Sequence, residues 1–292
     1  MEVNFWGIRG SFPVSTPEHT RYGGNTPCVE VASDTESVLI DAGTGIRLAG
    51  KSMVERGQKR IALFLSHTHW DHIQGLPHFE PLHCPDTKIS IHSIRRDNRS
   101  LHDIVFEQQR SPFFPISLDD VQAELTFIEH DDGESFNIGD IRVLCKRLNH
   151  PGIAAGYRLE CDGSVFAYIC DTDLYGEKLQ YADELSDTAT AEERLACLEE
   201  LRQGARDLSH SADLIVCDTF FLPDEFEPEW GHSTPDDAIR LATEAQAKRV
   251  GLFHHRPGRK DDQLDALVER YRKRTNGSLE ILACSEGLHL TL

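Results

Sequence analysis

Short apolar stretches and alternating apolar and polar positions recur along the chain, and both patterns predict β-strands. Residues 1–10 and 28–41 follow these patterns, and the glycines between them predict a connecting loop. Asp162-Gly163 separates two later stretches and is typical of a two-residue hairpin. Further strands are predicted at 61–66, 88–92, 126–129, 141–145, 157–161, 164–169, 214–218 and 249–253.

Helices are predicted between these strands. Residues 44–56 follow a glycine-containing turn and are predicted to form a helix that ends at Gly57. Thr190 and Glu193 have the spacing of a capping box, which predicts the start of an amphipathic helix. The buried stripe of that helix is predicted to contain Leu195, Leu198, Leu201 and Ala205.

The last third of the chain continues the alternation of strands and helices. Thr234 followed by Pro235 predicts a helix start, and residues 261–274 have the periodicity of a final amphipathic helix. This alternation indicates the α/β class. The length allows two average domains, but we expect one large domain spanning residues 1–292.

Composition narrows the class of protein. Hydrophobic residues make up 39% and charged residues 27% of the chain, as in ordinary globular proteins, and no apolar run is long enough to cross a bilayer. Residues 1–6 lack the pattern of a secretory signal, so a cytoplasmic location is expected. The eight cysteines show no C-x-x-C spacing and are interpreted as buried thiols.

The formal net charge of −19 argues against a nucleic acid duplex or a folded RNA as the main partner. Phosphate backbones are bound chiefly by clustered lysine and arginine. Arg95, Arg96 and Arg99 are close together in the sequence and could hold a small phosphate ester. They could equally form solvated surface, and the pattern leaves both interpretations open.

The most informative stretch is His67-Thr68-His69-Trp70-Asp71-His72, which directly follows the predicted strand 61–66. Imidazole and carboxylate groups are ligands that zinc, iron and manganese accept. His67 and His69 stand two apart and can reach one ion, whereas Asp71 and His72 begin the next turn and can face a second ion. A histidine-rich polar loop is the alternative, but this clustering favours a two-metal site.

Other motifs precede and follow this stretch along the chain. They are Tyr22-Gly23-Gly24-Asn25-Thr26-Pro27-Cys28, Asp41-Ala42-Gly43-Thr44-Gly45, Asn149-His150, Cys170-Asp171-Thr172, Gly231-His232-Ser233-Thr234 and Leu252-Phe253-His254. An H-x-H-x-D-H motif after an apolar strand, with this series in this order, resembles the metallo-β-lactamase superfamily. Within it, the chain is most similar to the branch of ribonuclease Z and the cyclic phosphodiesterases.

This resemblance implies a four-layer αβ/βα sandwich whose ligand-bearing loops gather at one edge of two facing sheets. It also implies two divalent metal ions, with zinc expected first and manganese or iron as alternatives. The implied ligands are His67, His69 and His150 on one ion, Asp71, His72 and His254 on the other, and Asp171 bridging both. If the register of the last motif slips by one residue, His255 replaces His254.

The resemblance further implies hydrolysis of a small nucleotide-like or cyclic phosphodiester by a hydroxide that the metals activate. Asp71 is expected to orient or deprotonate the attacking water, and His232 to protonate the leaving alkoxide. His232 precedes a predicted helix start, where free N–H groups could seat a phosphate oxygen. Asp41 is expected to orient a ligand imidazole. A homodimer is an assembly that the resemblance also implies.

Three other functions remain open. A nuclease that processes tRNA 3′ ends shares the site residues, but such enzymes can carry a basic, glycine-rich arm where residues 174–210 are acidic. A thioester or lactone hydrolase needs the same metals but typically lacks the Gly231-His232-Ser233-Thr234 element. A carrier or chaperone that holds metal without catalysis is the third alternative.

Several residues permit two interpretations. Cys170 is expected on the opposite side of its strand from Asp171, because side chains alternate along a strand. Asp218 is interpreted as capping a turn rather than orienting His232. The aromatic loop 111–115 could stack on a base or simply cover the core.

Overall fold

Two mixed β-sheets face each other at the centre of the molecule. The computed structural model describes residues 1–96, 99–180 and 189–292, and within these ranges each sheet has seven strands. The first sheet has the order β14 (His289–Thr291), β1 (Glu2–Gly7), β2 (Cys28–Ala32), β3 (Ser37–Ile40), β4 (Arg60–Phe64), β5 (Lys88–Ile94) and β6 (Glu124–His130). The second has the order β13 (Glu280–Ala283), β12 (Arg249–Phe253), β11 (Leu214–Asp218), β10 (Ser164–Ile169), β9 (Ala154–Cys161), β8 (Ile141–Leu148) and β7 (Ser135–Ile138).

The helices cover the outer faces of the two sheets. They are α1 (Ile46–Glu55), α2 (Trp70–Ile73), α3 (Leu101–Gln108), α4 (Ala191–Ser209), α5 (Pro235–Glu244) and α6 (Asp261–Arg274). Residues of α1 and α3 share an apolar cluster with the outer face of the first sheet, and residues of α4, α5 and α6 share one with the second. The predicted four-layer sandwich is therefore confirmed.

The central core lies between the sheets and follows from strand alternation. In β3, Val38 and Ile40 belong to the central cluster, whereas Leu39 faces α1 on the outside. Side chains of successive strand residues point to opposite faces, so both faces of this strand are apolar because both are covered. Within the described ranges, no helix combines the length and apolar character needed to cross a membrane.

Parallel pairing brings several strand ends to one edge of the sandwich. β3 and β4 are parallel neighbours, as are β10, β11 and β12. Their carboxyl ends lie at the same edge, and the candidate residues follow within three positions: Asp41 after β3, His67 after β4, Asp171 after β10 and His254 after β12. Residues distant in sequence thus meet in one place.

Some local predictions were wrong. Residues 28–41 form two strands rather than one, because the chain turns at Ser33, whose N–H donates to the Glu36 carbonyl at 2.9 Å. The Thr190–Glu193 capping box is present, but Leu195 is 58% exposed and does not join the buried stripe of α4.

The acidic segment 174–210 lies partly outside the described residues, since 181–188 are among those not described.

A buried arginine ties the first loop to the edge where the strand ends meet. Arg9 is fully buried, and its Nε and Nη1 donate to the carbonyls of Gly23 at 2.8 Å and Arg259 at 2.7 Å. Its Nη2 lies 3.6 Å from Asp261 Oδ1 at the start of α6. The adjacent backbone pairs with His255, which fixes the chain immediately after His254.

We predict that Arg9→Met lowers the free energy of unfolding by roughly 3–5 kcal/mol, because it leaves the buried Asp261 carboxylate and two carbonyls without this partner. Urea denaturation followed by circular dichroism measures the loss. Arg21→Met is the matched control, since Arg21 also approaches Asp261 but is 52% exposed. Equal losses in the two variants would contradict the assigned role of Arg9.

Candidate metal centre

The histidine-rich stretch leaves β4 and turns at once into α2. His69 has an extended backbone at the N-terminal boundary of α2, and the His72 N–H donates to the His69 carbonyl at 3.0 Å. This turn buries Asp71 and His72, while Trp70, which precedes them, is 65% exposed. His67 is also buried, and His69 lies on the solvent side.

Three imidazoles form a first group. Ligand atoms of His67, His69 and His150 all lie within 4.8 Å of one another, and His150 Nε2 is 3.0 Å from His69 Nδ1. His150 comes from the end of β8, where its Nδ1 donates to the Gly231 carbonyl at 2.8 Å. That hydrogen bond directs Nε2 towards the other two rings.

A second group lies beside the first. His72 Nε2 is 3.2 Å from His254 Nε2, and both atoms approach Asp71 Oδ2, at 3.4 and 3.1 Å. Asp171 Oδ1 lies 3.3 Å from His72 Nε2 and 3.2 Å from His254 Nε2. His254, rather than the alternative His255, is therefore the residue that the structure brings to this group.

Asp171 stands between the two groups. Its other oxygen, Oδ2, is 3.7 Å from His67 Nε2 and 3.8 Å from His150 Nε2. One carboxylate thus turns one oxygen towards each group of nitrogen atoms. The backbone of Asp171 has a φ of 49°, a left-handed conformation that places the side chain between the groups.

The residues fit divalent metal ions. Zinc bonds of about 2.0–2.1 Å place neighbouring ligand atoms of a tetrahedral site about 3.3 Å apart. The distances that His72 Nε2 and His254 Nε2 make with each other and with the Asp71 and Asp171 oxygens run from 3.1 to 3.4 Å. His67 Nε2 is buried and has no hydrogen-bond partner among the described residues, as expected for an atom that faces an ion.

Burial keeps two of the imidazoles neutral. It lowers the pKa of His150 to about 3 and the pKa of His67 well below its usual range, and the attraction of Asp171 only partly opposes this effect. A neutral imidazole has the free lone pair that a metal ion requires.

Asp41 orients His72, as the sequence predicted. The His72 Nδ1–H donates to Asp41 Oδ2 at 2.8 Å, which turns Nε2 into the second group. Asp41 also accepts hydrogen bonds from the Ser66 N–H at 2.7 Å and the Tyr168 hydroxyl at 2.7 Å. The sequence did not reveal these two partners, because neither belongs to a motif with a known spacing from Asp41.

His232 lies against both groups. Its ring centroid is 5.2 Å from that of His150 and 5.2 Å from that of His254. Its Nδ1–H donates to Asp218 Oδ2 at 2.8 Å. Burial lowers the pKa of His232, but the Asp218 carboxylate outweighs burial and raises it to about 8.

Asp218 has both of the roles considered for it. It caps the turn by accepting a hydrogen bond from the Phe220 N–H at 2.9 Å, and it also accepts one from His232 Nδ1–H. A seat for a phosphate oxygen at the start of α5 stays a prediction, although two donors next to it are already used. The Ser233 and Thr234 N–H groups already donate to the carboxylates of Asp218 and Asp237.

The expectation for Cys170 was wrong. Its Sγ donates to Asp171 Oδ1 at 2.8 Å instead of pointing away, because the left-handed backbone of Asp171 ends the strand alternation.

His255 faces away from the two groups of candidate ligands, with Nε2 3.0 Å from the Cys284 carbonyl oxygen. Gly10 is a further site residue that the sequence did not single out. A Cβ at this position would lie 2.6 Å from His254 Cε1.

The structure shows the contacts of two of the three arginines and of the aromatic loop that the sequence singled out. Arg95 pairs with Asp131 at 2.7 Å and Arg99 pairs with Glu107, so both are engaged on the surface. In the loop 111–115, Phe113 is 72% exposed, whereas Phe114 packs edge-on against His78 at 5.5 Å. Stacking of this loop on a base stays a prediction.

Comparisons with known proteins agree with this architecture. Residues 36–255 match the family model described as a β-lactamase superfamily domain. A ribonuclease Z from Treponema denticola is 25% identical over 267 residues, which cover 80% of this chain and 83% of that protein.

Solved structures extend the similarity to the whole chain. The metallo-β-lactamase fold protein YhfI from Bacillus subtilis has a TM-score of 0.69 at 18% identity, covering 99% of this chain and 98% of its own. A diphosphatase from the PhnP family has a TM-score of 0.66 at 17% identity, covering 100% of this chain and 97% of its own. The chain therefore belongs to the β-lactamase superfamily and is a metal-dependent hydrolase with the metallo-β-lactamase fold.

Proposed function

We propose that this hydrolase cleaves small phosphodiesters, nucleotide-like or cyclic, at a centre of two divalent ions. The observation that carries the proposal is the position of Asp171, whose two oxygens face two separate groups of donors. Zinc suits the imidazole and carboxylate donors best, with manganese or iron as alternatives. The proposed ligands are His67, His69 and His150 on one ion, Asp71, His72 and His254 on the other, and Asp171 on both.

Two-metal sites suit displacement at phosphorus. A bound pair of cations lowers the pKa of water and neutralises charge on the attacking and leaving oxygens. The protein fixes the orientation of the carboxylate that would act on the water. The Ser11 N–H donates to Asp71 Oδ2 at 2.7 Å, so Asp71 is held beside His254 in one position. In this position Asp71 would orient or deprotonate the attacking water.

His232 would protonate the leaving alkoxide. Asp218 binds Nδ1–H and stabilises the imidazolium, which leaves the proton on Nε2 available for transfer. The ring packs against both Phe220 and His254, with centroid distances of 4.7 and 5.2 Å, and this packing limits its rotation. Asp218 is therefore proposed as the residue that positions the acid.

Processing of tRNA 3′ ends is the second candidate. It is favoured by the similarity to proteins named ribonuclease Z, at 25% identity in the Treponema denticola example. Against it stands the formal net charge of −19, because affinity for a phosphate backbone depends on neutralising cations. We therefore place small diesters first.

We predict that the purified protein binds two zinc ions per chain, measured by elemental analysis after dialysis. Asp171→Ala should lose most of both ions, and His254→Ala about one, because Asp171 faces both groups and His254 only one. His255→Ala is the control, since this neighbouring buried histidine faces the Cys284 carbonyl. A wild-type protein with fewer than two ions, or equal losses in His254→Ala and His255→Ala, would contradict the proposed ligand set.

We predict that His232→Ala lowers kcat for 2′,3′-cyclic nucleotides by roughly 10²–10⁴-fold while two zinc ions remain bound. The loss should be much smaller for bis(p-nitrophenyl) phosphate, because p-nitrophenolate leaves without a proton. Asp218→Asn should show the same dependence on the leaving group to a lesser extent. Equal losses on both substrates would remove His232 from the role of acid.

A substrate panel separates the candidate functions. We predict that the zinc-loaded protein hydrolyses cyclic nucleotides and bis(p-nitrophenyl) phosphate with a higher kcat/KM than precursor tRNA, thioesters or lactones. The steep salt dependence of polyanion binding should be absent for the small diesters. A higher kcat/KM on precursor tRNA would favour the nuclease. Hydrolysis restricted to thioesters or lactones would overturn the phosphodiesterase proposal, and an inactive metal-loaded protein would favour a carrier.

A further inference from the structure

Exposed aromatic side chains concentrate around the candidate metal centre. Large apolar side chains are usually covered, and a single exposed one needs no explanation. Several such side chains beside one polar centre indicate a binding surface. Among the described residues, the large apolar side chains with more than half of their surface exposed are Phe12, Trp70, Phe113, Leu195 and Trp230.

Three of these side chains directly adjoin site residues. Trp70 lies between His69 and Asp71 in the first turn of α2 and is 65% exposed. Phe12 follows Ser11, whose N–H donates to Asp71 Oδ2. Trp230 precedes Gly231, the residue whose carbonyl accepts the hydrogen bond from His150. The backbone therefore anchors all three next to the proposed ligands.

An ordered series of rings connects one of them to His232. The Phe220 ring stacks on His232 with centroids 4.7 Å apart and planes 20° apart. The Trp230 ring lies 6.5 Å from Phe220 with planes 24° apart. Phe220 is almost fully buried, whereas Trp230 is 55% exposed. Nearly parallel aromatic rings thus extend from the proposed acid to the solvent.

Charged side chains lie beside this series of rings. The Arg256 guanidinium lies 5.9 Å from the Phe220 ring centroid and 5.7 Å from that of Phe221. Its Nη1 is also 3.5 Å from Glu225 Oε2, a carboxylate oxygen that Arg259 Nη2 approaches to 2.5 Å. One carboxylate shared by two guanidinium groups leaves room for the single negative charge of a phosphodiester, and the rings favour a flat group that can stack on them.

We propose that the substrate's retained substituent, the group that stays esterified to phosphorus, carries a planar aromatic ring that stacks on Trp230. A nucleobase or another flat aryl group meets this requirement, and Phe12 and Trp70 extend the apolar border around the same centre. This assignment rests on the proposed phosphodiesterase function and names the class of its substrate. Stacking of a base on an aromatic side chain contributes enough to set specificity.

Two substrates with the same leaving group test the proposal. Thymidine 5′-(p-nitrophenyl) phosphate and methyl p-nitrophenyl phosphate both release p-nitrophenolate and differ only in the retained substituent. The zinc-loaded wild-type protein should prefer the thymidine ester in kcat/KM. Trp230→Ala should lower this preference by roughly tenfold, mainly through KM, because one stacking contact is lost. Trp230→Phe should retain most of the preference, and this rescue separates stacking from a general disturbance of the loop.

Leu195→Ala is the surface control. Leu195 is about as exposed as Trp230, but it lies on α4, outside the candidate metal centre. It should leave both substrates unaffected. If both esters are cleaved with the same preference in wild type and Trp230→Ala, stacking on Trp230 is overturned while the phosphodiesterase function stands. If the wild-type protein cleaves neither ester, the proposed function fails and this assignment fails with it.

Discussion

The centre of this protein depends on one buried carboxylate. Asp41 is completely buried and accepts hydrogen bonds from Ser66, His72 and Tyr168. A buried charge is costly unless such donors satisfy it, so these contacts must form together. Asp41 and Ser66 end strands of the first sheet, whereas Tyr168 belongs to β10 of the second. The same carboxylate therefore joins the two sheets and orients His72.

Other contacts at this edge reinforce the connection between the sheets. The Tyr157 hydroxyl on β9 donates to the Leu65 carbonyl at 2.8 Å, and the Ala155 N–H donates to the Ser66 carbonyl at 2.8 Å. The strands that deliver Asp171 and the histidine-rich stretch are consequently held in a fixed relation. Preorganisation of this kind allows side chains from both sheets to meet without rearrangement.

The outer part of the centre differs in character from the inner part. The inner side chains are buried, and His72, His150 and His232 are held by hydrogen bonds to Asp41, Gly231 and Asp218. The outer border exposes His69 together with Trp70, Phe12 and Trp230. This division suits a hydrolase in which the inner residues govern the reaction and the apolar border governs which ester is accepted.

The sequence by itself determined the features that depend on chain neighbours. Periodicity predicted most strands and most helices of the described residues but missed β7, β13, β14 and α3. The capping box at Thr190 and the helix start at Thr234 are both present. The spacing within His67–His72 indicated that these side chains act together, because residues so close in the chain share one turn. Errors appeared where a local conformation departed from regular geometry, as for Cys170, whose neighbour Asp171 has a left-handed backbone.

Only the tertiary structure decided which distant residues meet. His254 rather than His255 approaches His72, 182 positions away, because β11 and β12 pair in a particular register and Arg9 and Gly10 fix the following loop. The contact between Asp218 and His232, and the stacking of Phe220 between His232 and Trp230, likewise have no local signal. Such contacts depend on how sheets and loops pack, and packing is a property of the whole chain rather than of any segment.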